Sequence, residues 1–233
     1  MQQKTLGIIG GMGPAATVDM LDKIVRFTDA ASDREHIHVY VDVNTEIADR
    51  TASIKGEGPN CLPALCESAR KLSQMGADYL ILSCNTAHYY LDDIRASVDK
   101  PILSMADAVA EYVSECGLKR VALLATDGTL LGRVYDHALE QYGVEVVLPT
   151  AEQQSVAMKV IYDVKSIGAE STDTTQLNDI VRCFLAQGAE AVVLACTEFP
   201  LIVDKMTDAA IYIDATEVLV RKAIQTAGYT CRK

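Results

Sequence analysis

Short apolar segments alternate with longer amphipathic segments along the whole chain, and this order limits the possible folds more than any other feature. The short segments are rich in Val, Ile and Leu, and they are apolar throughout rather than at every second position. A strand of this kind is buried on both faces, as in a parallel sheet covered by helices. The sequence therefore predicts the α/β class with mostly parallel sheets.

Hydrophobic periodicity and turn residues predict where the elements lie. Strands are predicted at 6–9, 38–43, 79–82, 102–103, 121–124, 144–148, 191–194 and 211–213. Helices are predicted at 15–28, 62–75, 88–97, 107–115, 131–141, 153–164, 175–186 and 216–225.

The second half of the chain resembles the first. Gly76 begins an apolar segment that reaches Cys84 eight residues later, and Gly188 begins one that reaches Cys196 at the same spacing. We therefore predict two similar α/β halves with an active-site cleft between them, the last helix returning to the first half. The expected domains are residues 1–100 together with 210–233, and residues 101–209.

The composition excludes several classes of protein. The chain has 233 residues, of which 49% are hydrophobic and 23% charged, as in a globular protein rather than a disordered or fibrous one. With a net charge of -11 and no basic run, it is poorly suited to bind nucleic acid or an anionic membrane surface. Seven cysteines without a recognisable signal peptide or membrane span favour a reduced, cytoplasmic protein.

Cys84 and Cys196 lie at the ends of two predicted strands, where parallel sheets bind their ligands. If the two halves face each other, these thiols approach one cleft from opposite sides. One thiolate can then remove a proton while the opposite thiol returns one to the other face, because a thiol pKa of about 8.5 lets both forms coexist near neutrality. Two buried structural cysteines are the alternative interpretation.

The remaining cysteines show no pattern typical of a metal site. The sequence contains no Cys-x-x-Cys and no His-x-x-x-His pair, which are common ligand spacings for zinc. We therefore predict no bound metal. Structural or surface roles are expected for Cys61, Cys66, Cys116, Cys183 and Cys231.

Five short motifs stand at predicted strand ends or in the loops that follow them. They are Gly-Gly-Met-Gly-Pro at 10–14, Asp-Arg-Thr at 49–51, Ser-Cys-Asn-Thr-Ala-His at 83–88, Leu-Ala-Thr-Asp-Gly-Thr at 124–129 and Ala-Cys-Thr-Glu at 195–198. In type and order they resemble the cofactor-independent aspartate/glutamate racemase family over essentially the whole chain. Gly-Met-Gly and Cys-Thr-Glu are most similar to the aspartate racemases, because the glutamate racemases carry Asp-Ser-Gly and Cys-Thr-His there.

The resemblance implies a two-base racemase of aspartate that needs no pyridoxal phosphate or other cofactor. Cys84 and Cys196 would be its catalytic groups, and the retained Cys84 favours a reversible reaction. A cation is needed for the distal carboxylate; Arg50 follows a predicted strand and suits a bidentate contact, and the resemblance adds Lys165. The other expected substrate contacts are Met12, Asn85, Thr86, Thr126 and Thr197.

Two residues near the cysteines leave alternatives open. His88 is either a group that supports the site from behind or a polar residue at a helix start. Glu198 either raises the pKa of Cys196 by charge repulsion or caps the following helix, which is the more common use of an acid in that position.

Other functions remain open at this stage. Gly11-x-Gly13-x-x-Ala16 also fits a dinucleotide-binding turn, but the acidic residue expected about 20 positions later is missing. Within the resembling group, glutamate or broader amino-acid specificity is an alternative, as is a related isomerase or decarboxylase of a small dicarboxylic acid. A catalytically silent amino-acid-binding protein is a third class. By resemblance, the partner is a small acidic amino acid and the protein is a homodimer.

Overall fold

Two parallel β-sheets organise the computed structural model, which describes residues 3–207 and 211–232. In the first sheet, the central strand lies between two others: β1 (Leu6–Gly10), flanked by β2 (Val39–Val43) and β3 (Tyr79–Leu82). The second sheet has the spatial order β5 (Glu145–Val147), β4 (Arg120–Ala125), β6 (Ala191–Ala195) and β7 (Tyr212–Asp214). The α/β class and the parallel sheets predicted from the sequence are confirmed.

Helices connect the strands and cover the sheets. The α-helices are α1 (Pro14–Phe27), α2 (Arg50–Lys55), α3 (Leu62–Gln74), α4 (Leu91–Ala96), α5 (Met105–Glu115), α6 (Asp127–Leu131), α7 (Asp136–Gln141), α8 (Ala151–Ile167), α9 (Thr175–Ala186) and α10 (Ala215–Thr226). Short 3-10 helices lie at Asp33–Glu35, Thr86–Tyr90, Ala169–Ser171 and Phe199–Lys205. None of the helices in the described residues combines the length and hydropathy needed to cross a bilayer.

The central strands set the register of both sheets. Leu6 lies opposite Val39 and Tyr79, and Val121 lies opposite Ala191, all in parallel pairs. Parallel strands run in the same direction, so their carboxyl ends lie at one edge of each sheet. The loops that follow β1, β2 and β3 leave this edge of the first sheet, and those that follow β4 and β6 leave it in the second. The five motifs singled out in the sequence lie at the ends of these strands, in these loops or at the helix starts that follow them.

The helix predicted at 131–141 is wrong as a single element. α6 ends at Leu131 and α7 begins only at Asp136. Gly132 caps the first helix, and Arg133 takes a left-handed φ of 51°. The apolar period continues through this turn, which is why the sequence pattern did not reveal it.

The strand predicted at 102–103 is reduced to a single bridge between Ile102 and Leu80. Pro101 has no N–H to extend the ladder, and Ser104 already caps α5 through its side chain. The helix predicted at 88–97 begins as the 3-10 helix Thr86–Tyr90 before it becomes α4. These differences shorten elements without changing the topology.

One hydrophobic core joins the two sheets. It contains Ile8 and Ile81 of the first sheet, Val121 and Val193 of the second, and the facing sides of α5 and α10 between them. Two further clusters lie outside, one under α3 and one under α8 and α9. Burying each such aliphatic side chain contributes about 1.5–3 kcal/mol relative to exposure, so the shared core fixes how the sheet edges face each other.

The division into domains stays a prediction. β7, which that division assigns to the first domain, pairs with β6 of the second sheet. α10 packs against both α1 and α5. The expected boundary between residues 209 and 210 lies outside the described residues.

Gly128, in α6, lies where the two halves are in close contact near the sheet ends. A Cβ there would lie 2.7 Å from Thr86 Cγ2 and 2.8 Å from Thr51 Oγ1. Nearby, Lys55 Nζ and Asp127 Oδ2 form an ion pair across the halves at 2.8 Å. The halves are thus closed against each other at this edge.

Candidate active site

All of the residues predicted from the sequence as catalytic or substrate-binding line one cavity between the carboxyl ends of the two sheets. They are Met12, Arg50, Cys84, Asn85, Thr86, Thr126, Lys165, Cys196 and Thr197. The cavity has a volume of about 10 Å³, which is room for about one water molecule. The side chains therefore leave too little free space between them for an amino acid in this structure.

The two cysteines enter the cavity from different halves. Cys84 follows β3 after Ser83, and Cys196 follows β6 directly; their exposed fractions are 5% and 4%. The Thr197 hydroxyl donates to the Ser83 carbonyl at 3.5 Å, which links the two cysteine loops. The sequence repeat thus corresponds to two thiols at equivalent strand ends of one site.

The Cys196 thiol lies beside a buried carboxylate. Its Sγ donates to Glu198 Oε2 at 3.0 Å. Burial raises the pKa of Cys196 well above its usual value, and the negative charge of Glu198 raises it further, while Lys165 opposes both effects. A buried thiol next to a carboxylate holds its proton because the thiolate would be both desolvated and repelled.

Arg50, the first residue of α2, is held by backbone carbonyls. Its Nη1 donates to Ile47 O at 3.4 Å and Ala48 O at 3.1 Å, and its Nη2 donates to Met12 O at 2.9 Å. Its buried Nε has no hydrogen-bond partner among the described residues. Burial lowers the pKa of Arg50, but interactions with Cys84, Asp49 and Glu198 together outweigh that effect, so the pKa is raised. Arg50 both anchors the loop that carries Met12 and keeps a donor beside Cys84.

Lys165 reaches the cavity from α8. Its Nζ lies 3.5 Å from Glu198 Oε1. Burial lowers the pKa of Lys165, but the negative charges of Glu198, Cys196 and Cys84 together outweigh that effect, so the pKa is raised. Met158, Ile161 and Tyr162 line the cavity from the same face of α8. The sequence interpretation did not assign these three to the site, although their spacing from Lys165 is that of one helical face.

Asn85 and a group of threonines supply neutral polar groups. Asn85 Oδ1 accepts a hydrogen bond from the Tyr135 hydroxyl, whereas its buried Nδ2 finds no partner in residues 3–207 and 211–232. Thr86 Oγ1 lies 2.8 Å from Thr126 Oγ1 and 3.1 Å from Thr129 Oγ1. Two residues that line the cavity therefore each have a buried donor without a hydrogen-bond partner among the described residues: Nδ2 of Asn85 and Nε of Arg50.

His88 supports the Cys84 loop from behind. Its Nε2 accepts from the Met105 backbone N–H at 3.1 Å, so the proton lies on Nδ1, which is 2.9 Å from the Cys84 carbonyl. Burial lowers the pKa of His88 to about 4, and the ring is neutral at ordinary pH. His88 also sits in the 3-10 helix Thr86–Tyr90, so both interpretations from the sequence describe part of its role.

Glu198 belongs to the site rather than to a helix cap. Within the described residues, its side chain makes no capping hydrogen bond to the 3-10 helix Phe199–Lys205. It is 3% exposed and contacts Cys196, Thr197 and Lys165 instead. Glu198 therefore does not cap the helix through its side chain, although capping is the more common use of an acid in this position.

The glycine-rich loop after β1 packs against the protein's own backbone. Gly11 has a φ of +91°, and a Cβ there would lie 2.4 Å from the Asn44 carbonyl carbon. Gly11 is the first glycine of the Gly-x-Gly-x-x-Ala pattern, which makes the tight turn in a dinucleotide-binding fold; here it lets the loop pack against Asn44. Among the described residues, His, Cys, Asp and Glu side chains form no group of three or more that is placed to hold a metal.

Replacing Arg50 by alanine should lower the free energy of unfolding by about 2–4 kcal/mol, because buried carbonyl groups lose their donor. Chemical denaturation of the purified variant measures this change. Arg70→Ala, at an exposed position of α3, is the matched control and should change stability by less than about 0.5 kcal/mol. Equal losses in the two variants would contradict the anchoring role of Arg50.

Known proteins resemble this chain over almost its full length. A family model described as Asp/Glu/Hydantoin racemase matches residues 9–223. The broad specificity amino-acid racemase RacX of Bacillus subtilis (strain 168) is 26% identical over 227 residues, covering 95% of this chain and 97% of that protein. An aspartate racemase from Picrophilus torridus superposes with a TM-score of 0.87 at 31% identity, covering 99% of this chain and 96% of that one. An aspartate racemase homologue from Pyrococcus horikoshii OT3 gives 0.76 at 28% identity, covering 97% and 99%.

Proposed function

The chain belongs to the Asp/Glu/hydantoin racemase family, and from this premise we propose that it interconverts L- and D-aspartate without a cofactor, using Cys84 and Cys196 as its two acid–base groups. Membership makes the protein an isomerase that acts on a small amino acid. The observation that carries the finer proposal is that both buried thiols line one cavity from opposite halves.

Each thiol has a defined part in the proposed reaction. We assign Cys84, which lies beside Arg50, as the base for one enantiomer, and Cys196, whose Sγ donates to Glu198, as the acid. The Cys84 sulfur takes the α-proton, and the C–H electron pair moves into the α-carboxylate to give a planar carbanion. Cys196 then gives its proton to the opposite face of Cα. The product has inverted configuration, Cys84 is left as a thiol and Cys196 as a thiolate, ready for the reverse reaction.

The weak acidity of an α-proton requires that the carbanion be stabilised on the α-carboxylate. Asn85 Nδ2 and Arg50 Nε are buried donors of the cavity without a partner among the described residues. Donors placed before the reaction where negative charge develops are worth about 10²–10³-fold in rate. We assign these two to the α-carboxylate, with the threonine hydroxyls around them.

The distal carboxylate of the substrate is assigned to Lys165. Lys165 contacts Glu198 in this structure. The distal carboxylate of a substrate therefore has to compete with Glu198 for Lys165. Arg50 and Lys165 bring two positive charges to the cavity, and Asp49 and Glu198 bring two negative ones. This balance favours a second candidate, a racemase of broader amino-acid specificity, while the likeness to the Picrophilus torridus aspartate racemase supports aspartate.

Exchange with deuterated water tests the proposal. Each enantiomer of aspartate, glutamate and alanine is incubated with the protein and no added cofactor, and optical activity and α-deuterium content are followed. We expect aspartate to lose optical activity while gaining deuterium at Cα. Faster exchange of alanine or glutamate would favour the broader racemase, and release of carbon dioxide a related decarboxylase. Binding without exchange of any of them would contradict racemisation and indicate a silent binding protein.

Assembly and location complete the proposal. We infer a cytoplasmic homodimer from the resemblance of the sequence to its family. Sedimentation of the purified protein, with a mass of 25.2 kDa per chain, distinguishes a dimer from a monomer, and a monomer at micromolar concentration would contradict the inference.

A further inference from the structure

Tyr135 is a buried residue of the second half that contacts Asn85, one of the residues that line the cavity. It lies in the turn between α6 and α7 and is 1% exposed. Its ring belongs to the core shared by the two sheets, and its hydroxyl donates to Asn85 Oδ1 in the loop after β3. The hydrogen bond therefore connects the two halves directly behind the candidate active site.

This hydrogen bond determines which end of the Asn85 amide faces the cavity. With Oδ1 held by Tyr135, the Nδ2 group is the end that remains buried without a partner in the described part of the chain, and Asn85 lines the cavity. If the amide were turned over, its oxygen would face the bound carboxylate. The Tyr135 hydroxyl would then lose its acceptor, because within the described residues it donates to Asn85 alone. A buried hydroxyl proton without an acceptor is strongly disfavoured.

The Tyr135 hydroxyl is protonated near neutral pH, because its pKa is raised. Burial raises its pKa, and nearby Asp214 and Cys196 raise it further. The hydroxyl is therefore a constant donor that does not itself exchange protons with a substrate. Asn85 lies between the Tyr135 hydroxyl and the cavity, so any effect of Tyr135 on the reaction acts through Asn85.

We propose that Tyr135 is a positioning residue for the racemase reaction: its hydroxyl holds the Asn85 amide so that the NH2 group donates to the substrate α-carboxylate. This inference rests on the proposed function. Charge grows on that carboxylate as the carbanion forms, so a correctly aimed N–H stabilises the transition state more than the bound substrate. If the Asn85 NH2 group no longer points at the carboxylate, kcat should fall by a larger factor than KM rises.

Tyr135→Phe is the direct test, because it removes the hydroxyl and keeps the ring in the core. We expect kcat for aspartate racemisation to fall about 10- to 100-fold, somewhat less than for direct loss of a donor, with a smaller change in KM. Tyr79→Phe is the matched control: Tyr79 is also 1% exposed, and its hydroxyl donates to the Ala223 carbonyl at 2.7 Å, away from the cavity. That variant should keep kcat.

A double-mutant cycle separates positioning from general damage. If Tyr135 acts through Asn85, Tyr135→Phe should have no further effect in an Asn85→Ala background. Asn85→Asp supplies a second variant should Tyr135→Phe fail to fold, because it keeps an acceptor for Tyr135 but removes the NH2 group. Its activity should be as low as that of Asn85→Ala.

Three results overturn the inference. They are wild-type kcat in Tyr135→Phe, an undiminished loss from that change in the Asn85→Ala background, and wild-type activity in Asn85→Asp. In each of these cases the wild-type protein racemises aspartate in the same assay, so the proposed function stands. A wild-type protein that exchanges no α-proton overturns both.

Discussion

Replacing Cys84 or Cys196 by alanine should reduce racemisation of aspartate by on the order of 10³-fold or more, because each variant lacks one of the two groups that must act on opposite faces of Cα. The measurement is kcat/KM for each enantiomer. Cys183→Ala is the control, since Cys183 is exposed on α9, and it should retain full activity. Full activity in Cys84→Ala or Cys196→Ala would refute the two-base assignment.

Isotope exchange makes the expected loss specific. In Cys84→Ala the remaining thiol can still remove and return a proton on one face, so one enantiomer should gain deuterium from the solvent without inversion. Cys196→Ala should do the same for the other enantiomer. If both variants exchange the same enantiomer, the thiols do not approach Cα from opposite faces. The pattern of exchange also assigns each thiol to its enantiomer.

The position of the cysteines could be predicted from sequence because it follows from topology. Parallel strands bring their carboxyl ends to one edge of a sheet, which placed Cys84 and Cys196 at strand ends. That the two halves face each other was a further hypothesis, based on the repeat in the sequence. Lys165 was found through a resemblance of motifs, and the structure adds its helical neighbours Met158 and Tyr162. A search for one helical face around Lys165 would have found them.

Other parts of the site depend on contacts that local sequence does not encode. From sequence alone, an acid two residues after a cysteine can be a helix cap or a site residue. Glu198 is a site residue because it contacts Lys165, which belongs to a helix distant in the sequence. Tyr135 lay inside a segment predicted as one continuous helix. The turn that begins at Gly132 places it behind Asn85, and the unbroken apolar period concealed that turn.

Charges on either side of Cys196 should control its pKa in opposite directions. Glu198→Gln removes a charge that, together with burial, raises the pKa of Cys196, so the pKa should fall. Lys165→Met removes the charge that opposes these effects, so the pKa should rise further. The pH dependence of alkylation of Cys196 by iodoacetamide, measured in a Cys84→Ala background, reports each change. Exposed Cys183 gives an internal reference in the same samples.

The sign of these shifts carries over to catalysis. Where Cys196 acts as the base, activity requires its thiolate and therefore rises with pH toward the pKa of that thiol. Glu198→Gln should extend this rising limb to lower pH, and Lys165→Met should move it to higher pH. If both variants shifted the limb in the same direction, the change in burial rather than the two charges would control Cys196. Glu198 would then be a packing residue, and the contact between Lys165 and Glu198 would have no part in setting the protonation state of the site.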